Sequence, residues 1–294
     1  MRPSFPALPA FALLLNALIW GISWWPFRKL EALGLHPLWA TALIYGFSLL
    51  CLLVWRPGAW RGLVAHPALW ALMGASGLTN VGFNWAVTVG DVVRVVLLFY
   101  LMPAWSILLA WRLLDEKPTV GALLRLGLAL VGVIVVLKTP DSPWPVPESA
   151  ADALALMGGF CFALTNVLLR KLEATPDASR ALAMFSGGTV MAATVALIGV
   201  GQGVVSPLPT PSADWLPMAL GLSGAFLAGN LALQYGAARL AAHTTALIML
   251  SEVLFASGSA VLLGAAELTA RTLTGGSLIV LAALLATWPS RRAA

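Results

Sequence analysis

The chain alternates long apolar blocks with short polar gaps marked by proline. Ten blocks stand out, at about 9–29, 37–55, 67–88, 92–111, 118–138, 150–171, 180–201, 213–236, 243–263 and 271–288. Each is about 20 residues long, which is the length a helix needs to cross a bilayer core. The gaps carry Pro37, Pro57, Pro67 and Pro118, then Pro140, Pro143, Pro145 and Pro147, then Pro207, Pro209 and Pro211. Helix breakers between apolar blocks predict an all-α integral membrane protein with ten transmembrane helices.

Polar side chains inside the blocks are few and paired. Asn80 and Asn84 lie four residues apart in one block, and Asn230 and Gln234 do the same 150 positions later. Four residues is about one helical turn, so each pair projects from one helix face. Other stretches recur in the same order. WGISWWPFRK at 20–29 aligns with FALTNVLLRK at 162–171, and NVGFNWAVTVG at 80–90 with NLALQYGAARL at 230–240. LLDEKPTVGALLRLG at 113–127 corresponds loosely to GAAELTARTLTGGSL at 264–278. A shared order at near-constant offset predicts a duplication, with residues 1–138 and 150–294 as two five-helix repeats and 139–149 as a periplasmic linker. An odd number of spans per repeat inverts the second relative to the first.

Composition sharpens this picture. The chain is 60% hydrophobic and 10% charged, against roughly 25% charged residues in soluble domains. Its pI of about 9.7 does not signal nucleic acid, because the basic residues are scattered at block ends. With the N-terminus inside, 12 of the 17 Lys and Arg residues fall on the cytoplasmic side and 5 outside. Both termini are therefore expected in the cytoplasm of a bacterial-type inner membrane. Cys51 and Cys161 sit in apolar runs without metal or disulfide spacing. His36, His66 and His243 lie near block ends, and no zinc-protease, nucleophile-elbow or Walker motif is present. An enzyme is not expected, nor a cofactor or metal, nor direct drive by ATP. The lipid bilayer is the expected environment, and no obligate protein partner is evident.

Ten spans, two inverted halves and particular motifs resemble the EamA family of the drug/metabolite transporter superfamily. The motifs are ALIWGISWWPFRK in the first span, LMPAWSILLAWRLLDEKPT at 101–119 and LIMLSEVLFASGSAVLLGAAELT at 247–269. The resemblance implies a secondary transporter that exports amino acids, aromatic ones first, and similar metabolites. Two departures are visible. Val253 follows Glu252 where the family usually has proline, and GAAE at 264–267 replaces the common Gly-Glu. The span around Glu252 is accordingly expected to be a more regular helix than in relatives.

The candidate substrate-binding residues follow. Asn80, Asn84, Asn230 and Gln234 offer donors to a carboxylate and acceptors to an ammonium. They serve equally as glue between helices, at roughly 0.6 kcal/mol each. Trp20 and Trp24 lie one turn apart, with Asn16 on the same stripe and Phe162 and Asn166 as repeat counterparts. They either line a cavity, where an indole stacks on a ring, or pack. Trp25 and Trp39 suit the interfacial belt. Tyr100 precedes Pro103 in mid-span, with Ser251 as its approximate counterpart. Glu252 is the acidic residue near a span centre, where a charge costs roughly 2.5–3.5 kcal/mol. It reads as a proton carrier, an ammonium site or a structural hydrogen-bond partner. Asp91 and Arg94 read as a solvated rim pair.

Overall fold

The computed structural model of the protein describes residues 7–89, 92–137, 147, 149–264 and 269–287. Thirteen helices are described: α1 (Ala7–Ala32), α2 (Pro37–Trp55), α3 (Ala59–Ala65), α4 (Ala68–Val89), α5 (Val92–Phe99), α6 (Met102–Leu114), α7 (Val120–Leu137), α8 (Ala150–Lys171), α9 (Asp177–Gly201), α10 (Leu216–Ala237), α11 (Ala242–Met249), α12 (Glu252–Leu262) and α13 (Ala270–Thr287). Asp91, the side chain of Arg94 and most of the 139–149 linker lie outside the described residues.

Local chemistry fixes the helix ends. Pro37 opens α2, where its missing N–H costs nothing, and His36 Nδ1 accepts from the Leu38 N–H at 3.2 Å. Ser149 and Asp152 form a reciprocal capping box on α8. The end of α8 is held by Arg180, 1% exposed, whose Nη1 donates to the carbonyls of Leu172, Glu173 and Thr175 at 2.6, 2.8 and 2.9 Å. Its Nη2 pairs with Asp177. A buried guanidinium is tolerated because helix-end carbonyls and a carboxylate replace its water.

Among the described residues, six stretches are long and apolar enough to cross a membrane: α1, α2, α8, α9, α10 and 242–262, with shorter apolar helices at Met102–Leu114, Val120–Val135 and Leu273–Ala282. Two expected spans are interrupted. The block at 92–111 divides into α5 and α6, and that at 243–263 into α11 and α12. The second division falls in the span expected to be more regular than in relatives. No proline is needed, because the backbone tightens into a brief 3₁₀ turn, with Ser251 N donating to Ile248 O at 3.0 Å.

The most extensive pairings join helices of 7–137 to helices of 150–287: α4 on α8 and α9, α7 on α13, α2 on α9, α1 on α10, and α6 on α8. The larger core gathers Leu13 and Ala17 of α1, Tyr100 and Met102, Phe162 of α8, and Leu247, Ile248, Met249 and Leu250 around α11. A second core centres on Tyr45, Phe185 and Phe226.

Candidate functional site

The two interruptions meet. The hydroxyl of Tyr100, just past the end of α5, lies close to the carboxyl of Glu252, the first residue of α12. Glycines let neighbouring helices close on both turns. A Cβ on Gly159 of α8 would sit 2.5 Å from the Phe99 carbonyl oxygen, and one on Gly21 of α1 would sit 2.8 Å from that of Glu252. No other residue permits so close a backbone approach. Ser251 is buried, and its hydroxyl has no partner among the described residues.

The paired amides form a second polar group. The Tyr45 hydroxyl lies within hydrogen-bonding influence of both Asn80 and Asn230. Each of those amides donates to a carbonyl one turn back on its own helix: Asn80 to Ser76 and Asn230 to Phe226, both at 2.8 Å. The second member of each pair reaches another helix. Asn84 Nδ2 donates to Thr41 Oγ1 of α2 at 2.5 Å, and Gln234 Nε2 to the Asp177 carbonyl of α9 at 3.0 Å. All four amides are nine-tenths buried or more.

The aromatic candidates are spread along α1 and α8. Trp20 packs on Phe226 with ring centroids 4.9 Å apart, and Trp24 Nε1 donates to Ser259 Oγ of α12 at 2.9 Å. Phe162 faces Phe99 at 5.9 Å, beside Tyr100. Asn16 and Asn166 are fully buried, and neither amide has a partner among the described residues. Trp25 is partly exposed, and Trp39 Nε1 donates to the Ser206 carbonyl at 3.0 Å.

Tyr100, Ser251, Glu252 and Phe162 thus come together around the turns, while the amides gather around Tyr45. Tyr45 and Thr41 escaped the sequence reading. The available signal was a polar-tipped aromatic at the centre of an apolar block, since a buried phenol needs a partner. A crevice of about 430 Å³ opens between α12 and α13, lined by Leu254, Ser257, Gly258, Leu273, Gly276 and neighbours. A water-sized hollow of about 30 Å³ lies beside Glu116 and His243. Neither contains a predicted site residue. Burial holds the Glu116 carboxyl above the usual carboxylate range, opposed by Arg170 and by the Ala242 N–H that it accepts.

Comparison with known proteins follows this geometry. Residues 7–138 match the EamA-like transporter family. An uncharacterized transporter of Pseudomonas aeruginosa is 29% identical over 150 residues, covering 48% of this chain and 49% of that protein. The matched region is thus about half the length of this curated relative. A solved crystal structure is similar at a TM-score of 0.76, covering 95% of this chain and 96% of that one at 16% identity; this likeness concerns the fold alone. The family match over residues 7–138 and the apolar helices together describe a multi-pass membrane protein.

Proposed function

We propose that the protein is a secondary transporter that exports amino acids, aromatic ones preferred, and similar small metabolites by alternating access. The observation that carries this reading is the pair of helix interruptions. They fall 150 residues apart, at 100–101 and 250–251, and touch through Tyr100 and Glu252. Discontinuous helices meeting in mid-membrane are how transporters with inverted repeats build a substrate site. On this reading α5–α6 and α11–α12 each form one span, giving ten spans in two inverted repeats, with both termini in the cytoplasm of a bacterial inner membrane. The Trp-rich first helix also resembles the bacterial aromatic amino-acid exporter YddG. Aromatic side chains at Trp20, Phe99 and Phe162 supply ring-stacking surface near the turns. Transport is facilitated diffusion of zwitterions, which need no charge compensation.

A drug or nucleotide-sugar carrier of the same superfamily is the second reading. Phosphates call for available cations in the membrane, and the buried Arg180 is committed to three carbonyls and Asp177. A non-transporting scaffold or receptor subunit is the third. Counterflow of labelled amino acids in proteoliposomes separates them. Phenylalanine and tryptophan are expected to exchange faster than alanine, without an imposed pH gradient. Exchange of nucleotide sugars alone would install the second reading, and an inert panel the third.

A further inference from the structure

Glu252 carries a carboxyl into the middle of an apolar stretch, 242–262. The fold makes that position tolerable for an anion. Glu252 stands in the first turn of α12, where the positive end of the helix dipole favours negative charge. The Tyr100 hydroxyl lies close to it. Yet no Lys, Arg or His pairs with it among the described residues, where the ion pairs are Arg170–Glu173 and Arg180–Asp177. One phenolic donor leaves most of the acceptor capacity of a carboxylate unused.

A further polar group beside this carboxyl is without a partner among the described residues: the Ser251 hydroxyl, 7% exposed. The chain leaves α5 and α11 at these same turns, so the negative ends of two half-helix dipoles arrive there too. A carboxylate and a free hydroxyl match a group with positive charge and several N–H donors. A protonated primary amine has three such donors on one compact centre.

We infer that Glu252 and Ser251 form the subsite for the ammonium group of the substrate, with Tyr100 as a positioning residue that fixes the carboxylate. This rests on the amino-acid reading of transport and adds the recognition chemistry to it. The same interaction is unavailable to a ligand whose amine is acylated or absent.

The test uses the full-length purified chain and two independent readouts. The first is binding, followed by the thermal shift that phenethylamine produces in detergent; this probe has the ammonium and the ring but no carboxylate. The second is competition against labelled phenylalanine counterflow by phenethylamine and by N-acetylphenylalanine. Wild type is expected to bind phenethylamine and to ignore the acetylated compound. Glu252→Gln keeps shape and is expected to weaken phenethylamine and phenylalanine by about tenfold or more, the scale of a lost hydrogen bond to a charged group. Tyr100→Phe is expected to weaken both by about threefold, since the carboxylate survives. A folded Glu252→Gln protein that binds phenethylamine as wild type does overturns the subsite. So does competition by N-acetylphenylalanine as strong as that by phenethylamine in wild type, which shows that the amine is not read. If a pH gradient concentrates phenylalanine in wild-type vesicles and Glu252→Gln loses only that concentration, the carboxyl carries a proton and the subsite is again overturned. If wild type transports no amino acid, the transport reading fails alone, and the phenethylamine shift still decides the subsite.

Discussion

The two helix interruptions are nearly the same turn built from different residues. In the first, Tyr100 N donates to Val96 O, Leu101 N to Leu98 O, Ala104 N to Leu101 O and Trp105 N to Leu101 O. In the second, shifted by 150 positions, Leu250 N donates to Ala246 O, Ser251 N to Ile248 O, Leu254 N to Ser251 O and Phe255 N to Ser251 O. The two residues that open the new half-helices, Leu101 and Ser251, have φ −71° and −60°. One bond differs. Val253 N donates to Leu250 O at 3.1 Å, where Pro103 has no N–H to give to Tyr100 O. Proline therefore accompanies such a turn without causing it. What the turns share is a glycine of a neighbouring helix packed against the backbone, and a side chain of one turn lying close to a side chain of the other.

Breaking the glycine contacts is expected to have the largest effect. Gly159→Val strikes the first turn and Gly21→Val the second, since each Cβ would meet backbone within 3 Å. Each is expected to lower stability by about 1–3 kcal/mol or more through overpacking. Melting in detergent by intrinsic fluorescence measures it, and a variant as stable as wild type would show that the turns form without the close approach.

An exchange of the odd residue comes next. Val253→Pro removes a single 3₁₀ bond and is expected to cost at most about 1 kcal/mol. Pro103→Ala restores a donor for Tyr100 O and is expected to change stability by a similarly small amount. Unfolding of either variant in detergent would mean that the two turns are not equivalent.

The smallest effect separates Ser251 from its counterpart Leu101. Ser251→Ala removes a buried hydroxyl without a partner, so melting is expected to stay level or rise, by about 0–1 kcal/mol. Phenethylamine binding is expected to weaken in the same variant. Stability lost along with binding would show that the hydroxyl already serves the fold.

The sequence made some of this legible. Hydropathy located α2 and α8 at 37–55 and 150–171, with the bounds the structure has. It also found Tyr100 and Glu252, because a phenol and a carboxyl are conspicuous in apolar surroundings. It missed the turn at 250–251. With valine in place of proline, nothing local breaks the helical period there, and the cause is tertiary: Gly21 against the Glu252 carbonyl and Tyr100 against its carboxyl. The amides were found as residues, but their partners were not. Whether an amide turns to its own helix, as Asn80 does, or to another, as Asn84 does, depends on which helix lies opposite. Spacing along one segment carries no information about that.

The crosswise pairing of helices has a consequence for synthesis. α4 leaves the ribosome carrying Asn80 and Asn84, but α8 and α9, which cover it, are encoded more than 60 residues later. At about 5–20 residues per second, α4 waits several seconds before its partners exist. Through that interval the Asn80 side-chain donor is satisfied by its own helix, which suits it to an early life in lipid. Thr41, the partner of Asn84, is already made by then, so α2 is available to shelter α4 during the wait.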